Sequence, residues 1–168
     1  MKLLGAILIV AAGAAMGLSK YLALKKRADT LDGLLSALGQ MRGEISLRLT
    51  PLGELMRLLA EQGSGAAHGF FLKLSAGMEN LDERGFSAVW DAALPELAVL
   101  SSDDLAAMAA LGASLGRFDV AEQCAAINAA AARLEISAAR AREALPAAGK
   151  LYIGLGLGVA AMLAVALL

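Results

Sequence analysis

The chain has 168 residues and a formal net charge of −1, enough for one compact domain and two short terminal elements but not for two full domains. One cysteine, Cys124, and one histidine, His68, exclude a disulfide framework and a Cys/His zinc site within a single chain. All 16 acids lie between Asp29 and Glu143, so residues 28–149 hold nine bases against them, and the resulting charge of −7 argues against nucleic acid as a partner.

The first element is apolar. Leu3 to Ser19 is free of charge over 17 residues, close to the length a helix needs to cross a hydrocarbon core. The basic start Met1-Lys2 and the small residues Ala12-Gly13-Ala14 also fit a cleaved signal pattern. Lys20, Lys25, Lys26 and Arg27 follow directly, however, and positive charge there resists translocation. A retained anchor over residues 1–24 is therefore expected, with Lys20 snorkelling to the interface.

The body follows as helices. Leu31, Leu34, Leu35, Leu38, Met41, Ile45 and Leu49 recur at spacings of three and four, which predicts a helix over 28–49. Thr50 is the expected cap of a second helix and Pro51 its first residue, with Leu52, Leu55, Leu58 and Leu59 inward as far as Gly63-Ser64-Gly65. Phe70, Phe71, Leu74, Met78 and Leu81 form a third stripe. Ser87 is the expected cap of a fourth helix carrying Val89, Trp90, Ala93, Leu94 and Leu97, bent or shortened at Pro95. Ser101 or Ser102 caps a fifth, with Asp103 and Asp104 at its positive end and Leu105, Met108, Leu111 and Leu115 inward. Gly116 suits its C-cap, and Asp119 with Glu122 reads as the capping box of a sixth. That sixth helix carries a seam of Val120, Cys124, Ile127, Ala131, Leu134, Ala138, Ala141 and Leu145, in alternating steps of four and three. Pro146 is expected to bend the chain between body and anchor.

Leu151 to Leu168 is the second charge-free run, 18 residues preceded by Arg140, Arg142 and Lys150, with Tyr152 as an interfacial aromatic. Both ends give one orientation: body in the cytoplasm, both termini on the far side. The expected architecture is all-α, a six-helix cytoplasmic bundle over 25–149 flanked by transmembrane helices over 1–24 and 150–168. Gly13 and Gly17, and Gly154 and Gly158, are spaced so that each pair lines one helix face. This spacing would let the spans pair with each other or with neighbouring subunits, and it is equally the ordinary glycine content of membrane helices.

No nucleophile–base pair, phosphate-binding glycine loop or metal-ligand cluster is visible, so neither an enzyme nor a cofactor is expected. Asp103-Asp104 is best explained as a helix start, because adjacent helical residues point apart. Cys124 falls on the seam, and His68 beside Gly69 reads as structural or exposed. Arg133, Glu135, Arg140, Arg142 and Glu143 form a solvated helix face.

The segment Leu111-Gly112-Ala113-Ser114-Leu115-Gly116-Arg117-Phe118-Asp119, followed by Gln123, resembles the L-G-x-x-L-G-x-x-D-x-x-x-Q signature of the stage III sporulation protein AB family. Met1-Lys2-Leu3-Leu4-Gly5-Ala6, Thr50-Pro51-Leu52 with Glu54, Trp90 with Ala93-Leu94, and Lys150-Leu151-Tyr152 leading into Gly154 to Gly158 add to the likeness. The chain departs from the family in its alanine-rich sixth helix (Ala125, Ala126, Ala129 to Ala132, Ala138, Ala139), where more Glu and Lys would be expected. The resemblance implies a body similar to the cytoplasmic domains of type II secretion F-type platform proteins. It also implies residence in the mother-cell membrane around the forespore. The implied partners are a secretion-type ATPase, stage III sporulation protein AA, the other stage III channel proteins and membrane lipid. Leu111, Gly112, Leu115, Gly116, Asp119 and Gln123 are read as a helix corner, structural or partner-facing, in which Gly112, one turn before Gly116, permits a close helix crossing. The competing expectation is a general membrane-tethered helical scaffold or adaptor with no motor partner.

Overall fold

The computed structural model describes residues 2–79, 85–117 and 119–167, and the side chains of 11, 15 and 17–146 within those ranges. Leu81, and the surroundings of Gly13, Gly154 and Gly158, lie outside the described residues. The described chain forms six α-helices and no strand: α1 Lys2–Gly43, α2 Leu52–Gln62, α3 Gly65–Glu79, α4 Gly85–Ala93, α5 Ser102–Ser114 and α6 Val120–Leu167. It divides into two compact units, residues 27–139 and residues 1–26 with 140–168. Among the described residues no helix is long and apolar enough to cross a membrane, and the runs Leu3–Ser19 and Leu151–Leu168 fall largely outside those whose side chains are described.

The first helix is longer than its apolar stripe predicts. No Gly or Pro interrupts residues 18–32, and Leu, Ala, Lys and Arg are strong helix formers, so nothing ends the helix between the apolar run and the body. Leu31, Leu34, Leu38, Met41 and Ile45 are buried, whereas Leu49 leaves the stripe at 69% exposure. The reason is a π-helical turn, Glu44–Arg48, after which Leu49 takes a left-handed conformation with φ 55°. Its amide donates to the Glu44 carbonyl and closes the helix.

Thr50 does not cap α2. Its hydroxyl instead donates to Glu44 Oε2 at 2.7 Å, and Pro51 occupies the N-cap position with its carbonyl accepting from the Leu55 amide at 2.9 Å. Glu44 Oε1 also accepts from Arg48 Nη1 at 3.0 Å, so one carboxylate holds the whole junction. Ser87 likewise lies inside α4, which already begins at Gly85. Pro95 ends α4, and a single 3₁₀ turn, Leu94–Leu97, follows.

α2 and α3 pack closely across the Gly63-Ser64 turn, where the His68 ring donates from Nδ1 to the Ala60 carbonyl at 2.7 Å. α3 then meets α4 and the 3₁₀ turn, and α4 meets α5. The centre is aromatic despite the low aromatic content: Phe70 stands edge-on to both Phe71 and Trp90, with centroids 5.1 and 5.0 Å away. α6 buries Ile127, Ala130, Leu134 and Ala138, a seam that takes Ala130 in place of Ala131 and leaves Val120 exposed and Cys124 half-buried. It runs through Pro146 as one element. A proline inside a helix costs roughly 3 kcal/mol through the lost bond and its clash, yet the flanking alanines and leucines resume the helix at once.

Candidate functional site

Ser101 stands at the N-cap of α5 and forms a reciprocal box with Asp104: the Asp104 amide donates to Ser101 Oγ, and the Ser101 amide donates to Asp104 Oδ2. Asp104 does more than cap. It is fully buried, and Oδ2 also accepts from Ser101 Oγ at 2.6 Å and from Arg27 Nη2 at 2.9 Å. Oδ1 accepts from the Ser137 hydroxyl. A single carboxylate therefore ties α1, α5 and α6 together. Burial pushes its pKa up, but the bonds from Ser101, Ser137 and Arg27 outweigh that and hold the carboxyl below its ordinary value. Asp103, its neighbour, points outward and pairs with Arg133 at 2.9 Å on the surface. Arg27 Nε is buried with no partner among the described residues.

One turn further along α5 the helix receives Trp90. The indole Nε1 donates to the Met108 carbonyl at 2.8 Å, and the ring lies on the backbone at Gly112. A Cβ at Gly112 would fall inside the indole. The glycine thus admits an aromatic side chain, where the sequence pattern suggested a close helix crossing.

The corner itself follows. Leu111 and Leu115 are buried at 1% exposure each, and Gly116 turns the chain with φ +74° against the Leu52 side chain. Asp119 Oδ1 accepts from the Glu122 amide at 2.8 Å and caps α6. Gln123 reaches back from the first turn of α6, its Oε1 accepting from the Gly116 amide at 3.2 Å. The structure therefore brings Leu111, Gly112, Leu115, Gly116, Asp119 and Gln123 together at one corner. Gly17 is buried within the other unit. Among the described residues no group of three or more His, Cys, Asp or Glu side chains could hold a metal ion.

Local rules place Asp104 only at a helix start, although the sequence carries a signal for the node. Asp104, Met108, Leu111 and Leu115 follow one another at steps of four, three and four, so the acid continues the inward stripe. Ser137 lies three residues after Leu134 on the inward side of α6.

The family model described as stage III sporulation protein AB matches residues 2–168. The chain belongs to that family. A solved structure titled stage III sporulation protein AB is 25% identical, with a TM-score of 0.63 over 72% of this chain and 97% of that one. Comparison with curated proteins finds no match. The segment Leu111 to Asp119 with Gln123, which resembles the signature of the stage III sporulation protein AB family, is the α5–α6 corner of this fold.

Proposed function

We propose that this chain is a non-catalytic, membrane-anchored platform subunit of the mother cell–forespore complex, docking the secretion-type ATPase stage III sporulation protein AA. The observation that carries the reading is the family match over residues 2–168. The apolar run at each end serves as an anchor, and the bases beside both runs favour a body in the mother-cell cytoplasm with both termini across the membrane. The helical body is akin to the F-type platform domains of type II secretion, and the other stage III channel proteins are its neighbours. The α5–α6 corner acts in this scheme by holding the shape of the body, since Gln123 bonds the Gly116 amide, Asp119 caps α6, and Gly112 and Gly116 lie against Trp90 and Leu52. The acidic surplus of the body favours a basic docking surface on the ATPase.

Capture of the ATPase by the full chain in detergent tests this. Binding at low salt that weakens as salt rises is the expected result. Absence of capture at either salt concentration would overturn the docking reading.

A further inference from the structure

The two compact units carry opposite charge. Residues 27–139 hold eight bases against fifteen acids, a net charge of −7. Residues 1–26 with 140–168 hold seven bases against one acid, Glu143, a net charge of +6. Five of those bases have described side chains, Lys20, Lys25 and Lys26 on α1 and Arg140 and Arg142 on α6, and all five are exposed.

Their placement around each helix distinguishes between partners. At 3.6 residues per turn, Lys25 and Lys26 lie about 140° and 240° around α1 from Lys20, and Arg142 lies about 200° around α6 from Arg140. A protein partner reads one face of a helix, whereas the three lysines surround α1 and the two arginines stand on opposite sides of α6. Along the axis they are narrow, roughly 9 Å for the lysines and roughly 3 Å for the arginines at 1.5 Å per residue. On α1 the lysines form a basic belt, wide in circumference and thin in depth, which matches a layer of lipid headgroups crossed by a helix, and the two arginines extend the positive charge to α6. Leu18 and Leu22, one turn apart and more than half exposed, flank Lys20 and offer apolar surface at the same level.

We infer that this belt binds the headgroups of anionic phospholipids. The inference rests on the proposed membrane anchoring and goes beyond it, because orientation by positive charge requires no preference among lipids. Native mass spectrometry of the full chain in detergent, offered equal phosphatidylglycerol and phosphatidylcholine, reads the preference directly. The unaltered chain retains phosphatidylglycerol over phosphatidylcholine by about tenfold or more, and each base removed lowers that ratio by up to about fivefold at low salt. The combined variant Lys20→Gln, Lys25→Gln, Lys26→Gln, Arg140→Gln, Arg142→Gln retains the two lipids equally. Equal retention by the unaltered chain, or a preference undiminished in the variant, would overturn the inference. Displacement of phosphatidylglycerol by millimolar inorganic phosphate would do so too, by reassigning the belt to a free anion. Extraction of the chain from neutral phosphatidylcholine vesicles by an alkaline wash would instead overturn the anchoring, a failure separate from any lipid ratio.

Discussion

Two junctions in the acidic unit solve the same problem with different residues. The α1–α2 junction and the α5–α6 corner each end a helix through one residue at positive φ, Leu49 at 55° and Gly116 at 74°. Each is braced by an acid, Glu44 holding Arg48 and Thr50, and Asp119 capping α6. The corner uses the residue type that has no steric objection to the left-handed region. The other junction forces a leucine there and leaves its side chain in water. One junction is thus optimised for stability, and the other carries local backbone strain.

The largest effect should come from the neighbour that the corner depends on. Gly112→Ala drives a Cβ into the buried indole, and neither partner can yield without disturbing the aromatic centre. A loss of about 3 kcal/mol is expected in thermal or chemical unfolding. A variant that unfolds like the parent would show that Trp90 has room to move.

Asp104→Ala ranks beside it, removing a cap and leaving Arg27 without its buried partner, for about 3 kcal/mol. The pH dependence gives this its sign. Asp104 titrates below its ordinary value in the folded protein, so its stabilisation is whole above the unfolded value near 3.8 and is lost as pH falls further. Stability measured from pH 5 to pH 3 should fall more steeply for the parent than for Asp104→Asn. Parallel curves would remove Asp104 from the account.

The two junctions themselves should answer differently, with a loss at Gly116 and none at Leu49. Gly116→Ala strains the backbone and presses on Leu52, for a loss of about 1–2 kcal/mol. Leu49→Gly relieves strain at some entropic cost and should be neutral or stabilising by about 0.5 kcal/mol. Equal losses at both sites would erase the distinction drawn here. Asp119→Ala falls between these two, with a loss of about 1 kcal/mol from a missing cap.

This contrast also explains what could be read in advance. Gly116, Asp119 and Ser101 act through local rules of helix ends, so their places were legible. Leu49 was not, because its heptad-like spacing pointed inward and nothing local marks a leucine for positive φ. Thr50 reads as a cap by local rules because the competing acceptor, Glu44, lies six residues back on a π turn that no spacing rule foretells. Gly112 was recognised as a place of close approach, but the group that approaches comes from Trp90, 22 residues earlier. The node at Asp104 joins three helices, and only tertiary packing brings Arg27 and Ser137 to it.

The central claim is that the signature corner shapes the body and does not itself grip a partner. Asp119→Ser tests it most directly, since serine caps a helix about as well as aspartate while removing the carboxylate. Unfolding and ATPase capture would be measured on the same full-length preparation. The account predicts that Asp119→Ser keeps both parental stability and parental capture, while Gly116→Ala weakens both together. An Asp119→Ser variant of unchanged stability that no longer captures the ATPase would contradict it.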